Sequence, residues 1–191
     1  VSPERFLSVH GRRVETMPIK GTRPRHPDPE TDRRIAAELL QSPKDRAENL
    51  MIVDLLRNDL GRSCVPGSIQ VDRLYELQSF ATVHHLVSEI SGELAPGRDA
   101  LDVLRHSFPG GSITGAPKRR AMQIIDELES RARQVYCGSM LYLSTNGRMD
   151  SNIAIRTLLC EDDTIHCWGG GGIVADSQCE QEYQETYDKV G

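Results

Sequence analysis

The stretch YCGSMLYLSTNGRMDSNIAIRTLL, residues 136–159, decides the class of fold. Two largely apolar runs, Tyr136–Ser144 and Met149–Leu159, flank an Asn146–Gly147 pair, the best short-range signal of a β-hairpin. Outward from it, Ile69–Asp72 and Val83–Ile90 read as strands, and Thr164–Trp168 as another that runs into Gly169–Gly172. Helical patterns are interspersed at about Thr31–Leu40, Asp99–His106, Lys118–Arg133 and Ser177–Lys189, the third with Ala121, Met122, Ile125 and Leu128 on one face. The clearest helix is SPKDRAENLMIVDLLRNDLG, in which Ser42 is the N-cap, Pro43 takes the first helical position and Gly61 closes the run. TRPRHPDPETD (22–32) and SFPGGSITGAP (107–117) are too rich in Gly, Pro and Ser for regular structure. Hairpin-joined strands with helices between them imply an α+β fold built on antiparallel sheets, in one domain over residues 1–191.

Composition narrows the function. The chain's 191 residues suffice for one domain with its own core. A net charge of −5 argues against a nucleic-acid surface, which needs an excess of Lys and Arg on one face. No apolar run approaches the ~20 residues of a membrane helix, and VSPERFLSVHGRR lacks the apolar stretch of a signal peptide. Cys64, Cys137, Cys160, Cys167 and Cys179 are odd in number and form no CxxC pair, so free thiols in a reducing cytoplasm are expected.

Three patterns carry chemistry. Asp45 and Glu48 share a helix face at i, i+3, and Glu182 and Glu185 repeat that spacing on the last helix, with Lys189 one turn on. Carboxylates from two helices suit Mg²⁺, a hard ion that takes oxygen ligands. Each pair alone is also what a helix dipole or a solvated ion pair produces, and spacing alone favours that plainer reading. GGGGIVADS (169–177) lets backbone N–H groups approach an anion, yet it is neither a P-loop nor GxGxxG, and tight turns are the default. By alternation Asp150, Asn152, Ala154 and Arg156 share one strand face, which would end in a carboxylate-gripping guanidinium or lie at a solvated edge. His84 and His85 sit in an apolar strand, where a satisfied core histidine is commoner than a ligand or base.

The segments PIKGTRPR, KDRAENLMIVDLLRNDLGR, VHHLVS, FPGGSITGAPKRRAM, CGSMLYLS, IAIRT and GGGGIVADSQCEQEYQET, in this order, resemble the chorismate-binding enzymes. That family includes anthranilate, aminodeoxychorismate, isochorismate and salicylate synthases. The resemblance covers nearly the whole chain and implies two large antiparallel sheets packed against each other, with helices outside. It also implies chorismate as substrate and Mg²⁺ bridging the protein to the ring carboxylate. Glu48 and Glu185 resemble the principal metal ligands, with Asp45 and Glu182 beside them. Tyr136 and Arg156 resemble the grip on the pyruvyl carboxylate, helped by backbone N–H groups near Gly170, Gly171 and Gly172. Thr22 falls in a motif that lines the pocket, and Ser112 stands where relatives have Thr. Lys189 resembles a lysine that neutralises substrate charge, His85 the histidine beside the ring, and Glu4 the acid that assists departure of the ring hydroxyl.

Within the family, PIKGT separates the branches. Members that form anthranilate, salicylate or isochorismate generally read PIAGT there, whereas the aminodeoxychorismate-forming branch carries Lys. Lys20 therefore implies a covalent route: the amine attacks ring carbon 2 as the 4-hydroxyl leaves, and ammonia from a separate glutamine amidotransferase then adds at carbon 4 and expels the lysine from carbon 2. Anthranilate formation, or a fragment that binds chorismate without turnover, are the competing expectations. Family members also carry a long N-terminal region that is not in this sequence, so a C-terminal catalytic portion is expected.

Overall fold

Pro18 has no N–H to give to a sheet ladder, and it divides an extended run into β2 (Arg13–Met17) and β3 (Ile19–Pro24). In the computed structural model, which describes residues 4–175 and 177–188, both pieces line one edge of β5 (Val83–Glu93). β2 pairs with its C-terminal half and β3 with its N-terminal half. β4 (Gln70–Ser79) covers the other edge of β5. Beyond β2 follow β1 (Glu4–His10), β7 (Met149–Ile153) and β6 (Leu141–Leu143), completing a seven-stranded sheet that is antiparallel throughout. β8 (Leu158–Glu161) and β9 (Thr164–Cys167) form a second, two-stranded antiparallel sheet. The α+β class and the two antiparallel sheets are as expected; the sheets are very unequal in size.

The predicted turn is present, with Gly147 at φ +79° and Ser144 N–H bonded to Arg148 O at 2.8 Å. Its strands are shorter than the apolar runs. Cys137 at φ +65° precedes β6, and Arg156 at φ +51° separates β7 from β8. Alternation therefore stops at Ile153, and Arg156 does not continue the face of Asp150 and Asn152. β4, conversely, runs on past Asp72 to Ser79 through a bulge at Tyr75 (φ +58°), whose N–H is taken by Ser88 Oγ at 3.1 Å.

The helices are α1 (Pro29–Gln41), α2 (Pro43–Gly61), α3 (Ala100–Ser107), α4 (Lys118–Leu128) and α5 (Cys179–Asp188). Ser42 Oγ accepts from Asp45 N–H at 3.3 Å, so the predicted cap of α2 is made. α4 stops short of Arg133, which turns back instead and donates to Ile113 O at 2.8 Å. Phe6, Leu7, Val9 and Val14 of the sheet pack with Ile52, Val53, Leu56 and Leu60 of α2 in one core. Within this apolar contact lies a polar pin. Asn49 and Ser88 are both fully buried; Ser88 Oγ donates to Asn49 Oδ1 at 2.5 Å, and Asn49 Nδ2 donates to Leu86 O at 3.4 Å.

Asn49→Ala would remove the amide that donates to Leu86 O and deprive Ser88 of its acceptor in a dry contact. It should cost about 1–3 kcal/mol, read as a lower denaturant midpoint with unchanged slope. A midpoint equal to that of the unmutated protein would show that the pin contributes nothing.

Candidate active site

Between Ile19 and Thr22 the register of β3 on β5 slips by one residue, which places Lys20 and Gly21 in a β-bulge. Bulges re-aim side chains, and this one turns on Gly21 at φ +89°. A Cβ there would lie 2.9 Å from Leu39 Cδ1 and 3.0 Å from Asp45 Cβ, so glycine is what lets α1 and α2 approach β3. The half-buried Lys20 donates from Nζ to Ser112 O at 3.3 Å, on the 3-10 turn Gly111–Ile113.

Glu4 opens β1, is buried, and accepts from Ile19 N–H at 3.4 Å. Burial pushes its carboxyl up to about 7, although Lys20, the Ile19 N–H and the Ser112 hydroxyl all pull it down. Glu4 therefore exchanges a proton near neutrality beside Lys20, whose charge draws its pKa down.

Thr22 lies opposite His85 in the ladder, with Thr22 Oγ1 and His85 Nδ1 2.8 Å apart. His85 is buried, and the Phe80 ring meets it edge-on at 5.5 Å. Burial, reinforced by the Arg156 charge, lowers its pKa below the ordinary histidine value and favours the neutral ring. Arg156 itself is half-buried and makes no hydrogen bond or ion pair among the described residues.

The two acidic pairs converge as their spacing allowed. Asp45 is buried and accepts from Arg23 at 2.9 Å. Burial raises the Glu48 pKa; Lys20 and Lys44 lower it, and Asp45 and Glu185 add repulsion. Glu182 is buried on α5, where its Oε1 accepts from Ser177 Oγ at 2.6 Å and Lys44 Nζ at 3.1 Å. The Lys44 pKa is raised first by Glu182, with Glu185 and Glu48 contributing. One ammonium thus sits among carboxylates from two helices. Among the described residues, no three His, Cys, Asp or Glu side chains are arranged as a ready-made metal cage. The donors converging on Lys44 are all carboxylate oxygens, the set a hard cation prefers, and they already hold a positive charge.

The glycine run threads between this cluster and Tyr136. A Cβ at Gly170 would come within 2.9 Å of Tyr136 Oη, and one at Gly172 within 3.6 Å of Glu48 Oε1. The Tyr136 ring stacks on Trp168 with centroids 6.4 Å apart, and burial pushes its hydroxyl up to about 12. Gly171 lies between these contacts and is exposed. Lys189 lies outside the described residues. Arg23, Lys44, Ser177 and Trp168 were not singled out from sequence. Lys44 and Arg23 adjoin predicted residues, and Trp168, the only tryptophan, directly precedes the glycines.

An open groove of about 860 Å³ runs beside the site, lined in part by Ile19, Phe80, His85, Met140 and Tyr142. It meets the polar site at His85 and excludes Lys20 and the carboxylates, so the charged geometry, not the volume, defines the candidate site.

Over residues 1–191 the chain matches the family described as chorismate binding enzyme. The chain belongs to that family. It is 58% identical over 190 residues to aminodeoxychorismate synthase component 1 of Escherichia coli strain K12, covering all of this chain and 42% of that protein. Anthranilate synthase component 1 of Streptomyces coelicolor is 50% identical over 188 residues, 98% of this chain and 37% of that protein. The crystal structure of anthranilate synthase component I from Streptococcus pneumoniae superposes with a TM-score of 0.87 at 43% identity, over 99% of this chain and 41% of that one. The chain thus spans about two fifths of the length of the curated relatives it matches. No helix among the described residues is long and apolar enough to cross a membrane.

The raised Glu4 carboxyl has a stability consequence. Between the unfolded value near 4.5 and the folded value near 7, the folded state binds the extra proton, so this group makes stability fall as pH rises. Glu4→Gln, which cannot ionise, should leave melting near pH 4 almost unchanged and raise stability at pH 8 by about 1–3 kcal/mol. Melting temperatures of both proteins across pH 4–8 check this, and parallel curves would contradict it.

Proposed function

We propose that the protein carrying this chain aminates chorismate at ring carbon 4, giving 4-amino-4-deoxychorismate for para-aminobenzoate and folate synthesis. The observation that carries this reading is Lys20 in its bulge, a primary amine held between Glu4 and Glu48. The nearer identity to an aminodeoxychorismate synthase component than to an anthranilate synthase component supports it.

In this reading the Lys20 amine, as free base, attacks ring carbon 2 and forms a C–N bond. The ring double bond shifts, and the bond from carbon 4 to its hydroxyl breaks. Glu4 gives its proton to the departing hydroxyl, and the proton shed by the attacking amine restores it, so one water leaves and charge is conserved. Ammonia then adds at carbon 4, the double bond shifts back, and Lys20 departs from carbon 2 as the amine. A carboxyl with a pKa near 7 is suited to this because it can hold the proton at working pH. Arg156 and Tyr136 grip the pyruvyl carboxylate beside the N–H groups at Gly170, Gly171 and Gly172, with Thr22 and Ser112 lining the pocket. The neutral His85 lies by the ring, and Lys189 offsets substrate charge. Chorismate is the partner small molecule, and ammonia comes from a glutamine amidotransferase component in the cytoplasm.

Glu48 and Glu185 would hold Mg²⁺, with Asp45 and Glu182 beside them, in place of the charge Lys44 now supplies. When bound, Mg²⁺ would neutralise the ring carboxylate of the substrate.

Two measurements test these assignments. Glu48→Gln and Glu185→Gln should each lose most activity and weaken Mg²⁺ binding in titration calorimetry while melting changes little, because removing one acid relieves repulsion among the rest. Wild-type Mg²⁺ affinity in both variants would sink the metal assignment. Chorismate without ammonia should leave an adduct of chorismate less one water on the peptide containing Lys20, detected by mass spectrometry and absent from Lys20→Ala. Full 4-amination by Lys20→Ala would mean direct attack by ammonia, and a 2-aminated product from the unmutated protein would overturn the proposed function.

A further inference from the structure

Ser112 bears on both Glu4 and Lys20: its hydroxyl favours the charged form of Glu4, and its backbone carbonyl accepts from Lys20 Nζ. It sits in loop 108–117, between the end of α3 at Ser107 and the start of α4 at Lys118. A nitrogen placed at the far end of that loop reaches back to its beginning. Lys118 Nζ donates to Ser107 O at 2.8 Å and to Asp59 Oδ2 of α2 at 2.6 Å.

Asp59 is buried in this contact and Lys118 half-buried, with 19% of the Lys118 side chain and 5% of the Asp59 side chain exposed. The Ser107 carbonyl is one of the orphan acceptors that every helix C-terminus leaves, and here the ammonium supplies its partner. Burial pushes the Asp59 carboxyl up while Lys118 draws it down, the signature of a charge that depends on its partner.

Packing holds the near half of the loop. A Cβ at Gly111 would lie 3.2 Å from Leu55 Cβ, and Thr114 Oγ1 donates to Gly110 O at 2.9 Å. None of the eleven residues of α4 is buried, so the far half leads into a helix without a buried anchor of its own. Arg133 reaches Ile113 O from outside, with its guanidinium shared with the exposed Glu129.

We propose that Lys118 is a positioning residue for the Glu4–Lys20 pair: by tying both ends of loop 108–117 to Asp59, it fixes Ser112 where the two groups meet. The proposal rests on the function argued above. It extends that function to a side chain that touches neither substrate nor the reacting atoms.

The test uses the complete polypeptide with ammonium salt as nitrogen donor. It compares the unmutated protein with Lys118→Met, Lys118→Arg and the double variant Lys118→Met/Asp59→Asn. Lys118→Met should lower kcat by about 10- to 100-fold, the cost of a misplacement near 1 Å, with KM for chorismate within about threefold. The double variant buries no unpaired carboxylate. It should regain the melting temperature without regaining kcat, and Lys118→Arg should recover part of kcat. Backbone amides within 110–116 should exchange hydrogen faster in Lys118→Met and in the double variant, while those of α2 keep their protection. Recovery of kcat together with melting temperature in the double variant would reduce Lys118 to a stabilising ion pair and overturn the proposal, as would unchanged exchange in the loop. If the unmutated protein yields no 4-aminated product, the proposed function fails. Loop exchange, and the rate ratio for whatever product is formed, still decide the clip.

Discussion

The arrangement of this site depends on how closely α2 can seat on the sheet. Two features permit it: the missing side chain at Gly21, where any Cβ would strike Leu39 and Asp45, and the Asn49–Ser88 hydrogen bond at the dry centre of the contact. Apolar residues alone would let the helix slide by fractions of a turn, because burial is non-directional. A single buried polar pair has one geometry that satisfies it, so it fixes the helix lengthwise. With α2 in that place, Glu48 faces both Lys20 on the strand and the glycine run on the far side.

Desolvation and Coulomb attraction oppose each other here, and the winner differs from residue to residue. At Glu4 desolvation wins: the Lys20 charge, the Ile19 N–H and the Ser112 hydroxyl do not offset burial, and the carboxyl rises from 4.5 to about 7. At Lys44 attraction wins, because the ammonium lies near the surface and faces Glu182, Glu185 and Glu48 together. The outcome is a site with a proton-holding acid on one side of Lys20 and the acidic cluster of α2 and α5 on the other. Such a pairing of similar groups in different environments is how one fold separates proton transfer from charge stabilisation.

The sequence made the fold class and most of the site legible for identifiable reasons. The Asn146–Gly147 turn, the Ser42 cap and the Pro43 start are local signals, and local chemistry decides them. Strand ends were illegible because they are decided by single backbone angles. Arg156, Cys137 and Tyr75 all adopt positive φ, which no apolar pattern announces. The acidic pairs could be placed on helix faces, but that the two faces meet, with Lys44 between them, is a tertiary fact that spacing does not contain. Asn49 was hidden for a related reason: it reads as one polar residue in an amphipathic helix until Ser88 is seen opposite it.

Lys20 is a position where chemistry can change while the fold stays constant. Its one hydrogen bond goes to a backbone carbonyl, and its conformation is set by the bulge and by Gly21 rather than by its own packing. Replacing the side chain would cost little stability, because nothing in the core leans on it. The scaffold around it is shared with proteins of a different name, since an anthranilate synthase component superposes over 99% of this chain at a TM-score of 0.87. On the function proposed above, a nucleophile so independent of its frame could be exchanged by a single substitution without disturbing the fold. The same proposal leaves the frame to hold Glu4, the carboxylates of α2 and α5, and the loop that carries Ser112.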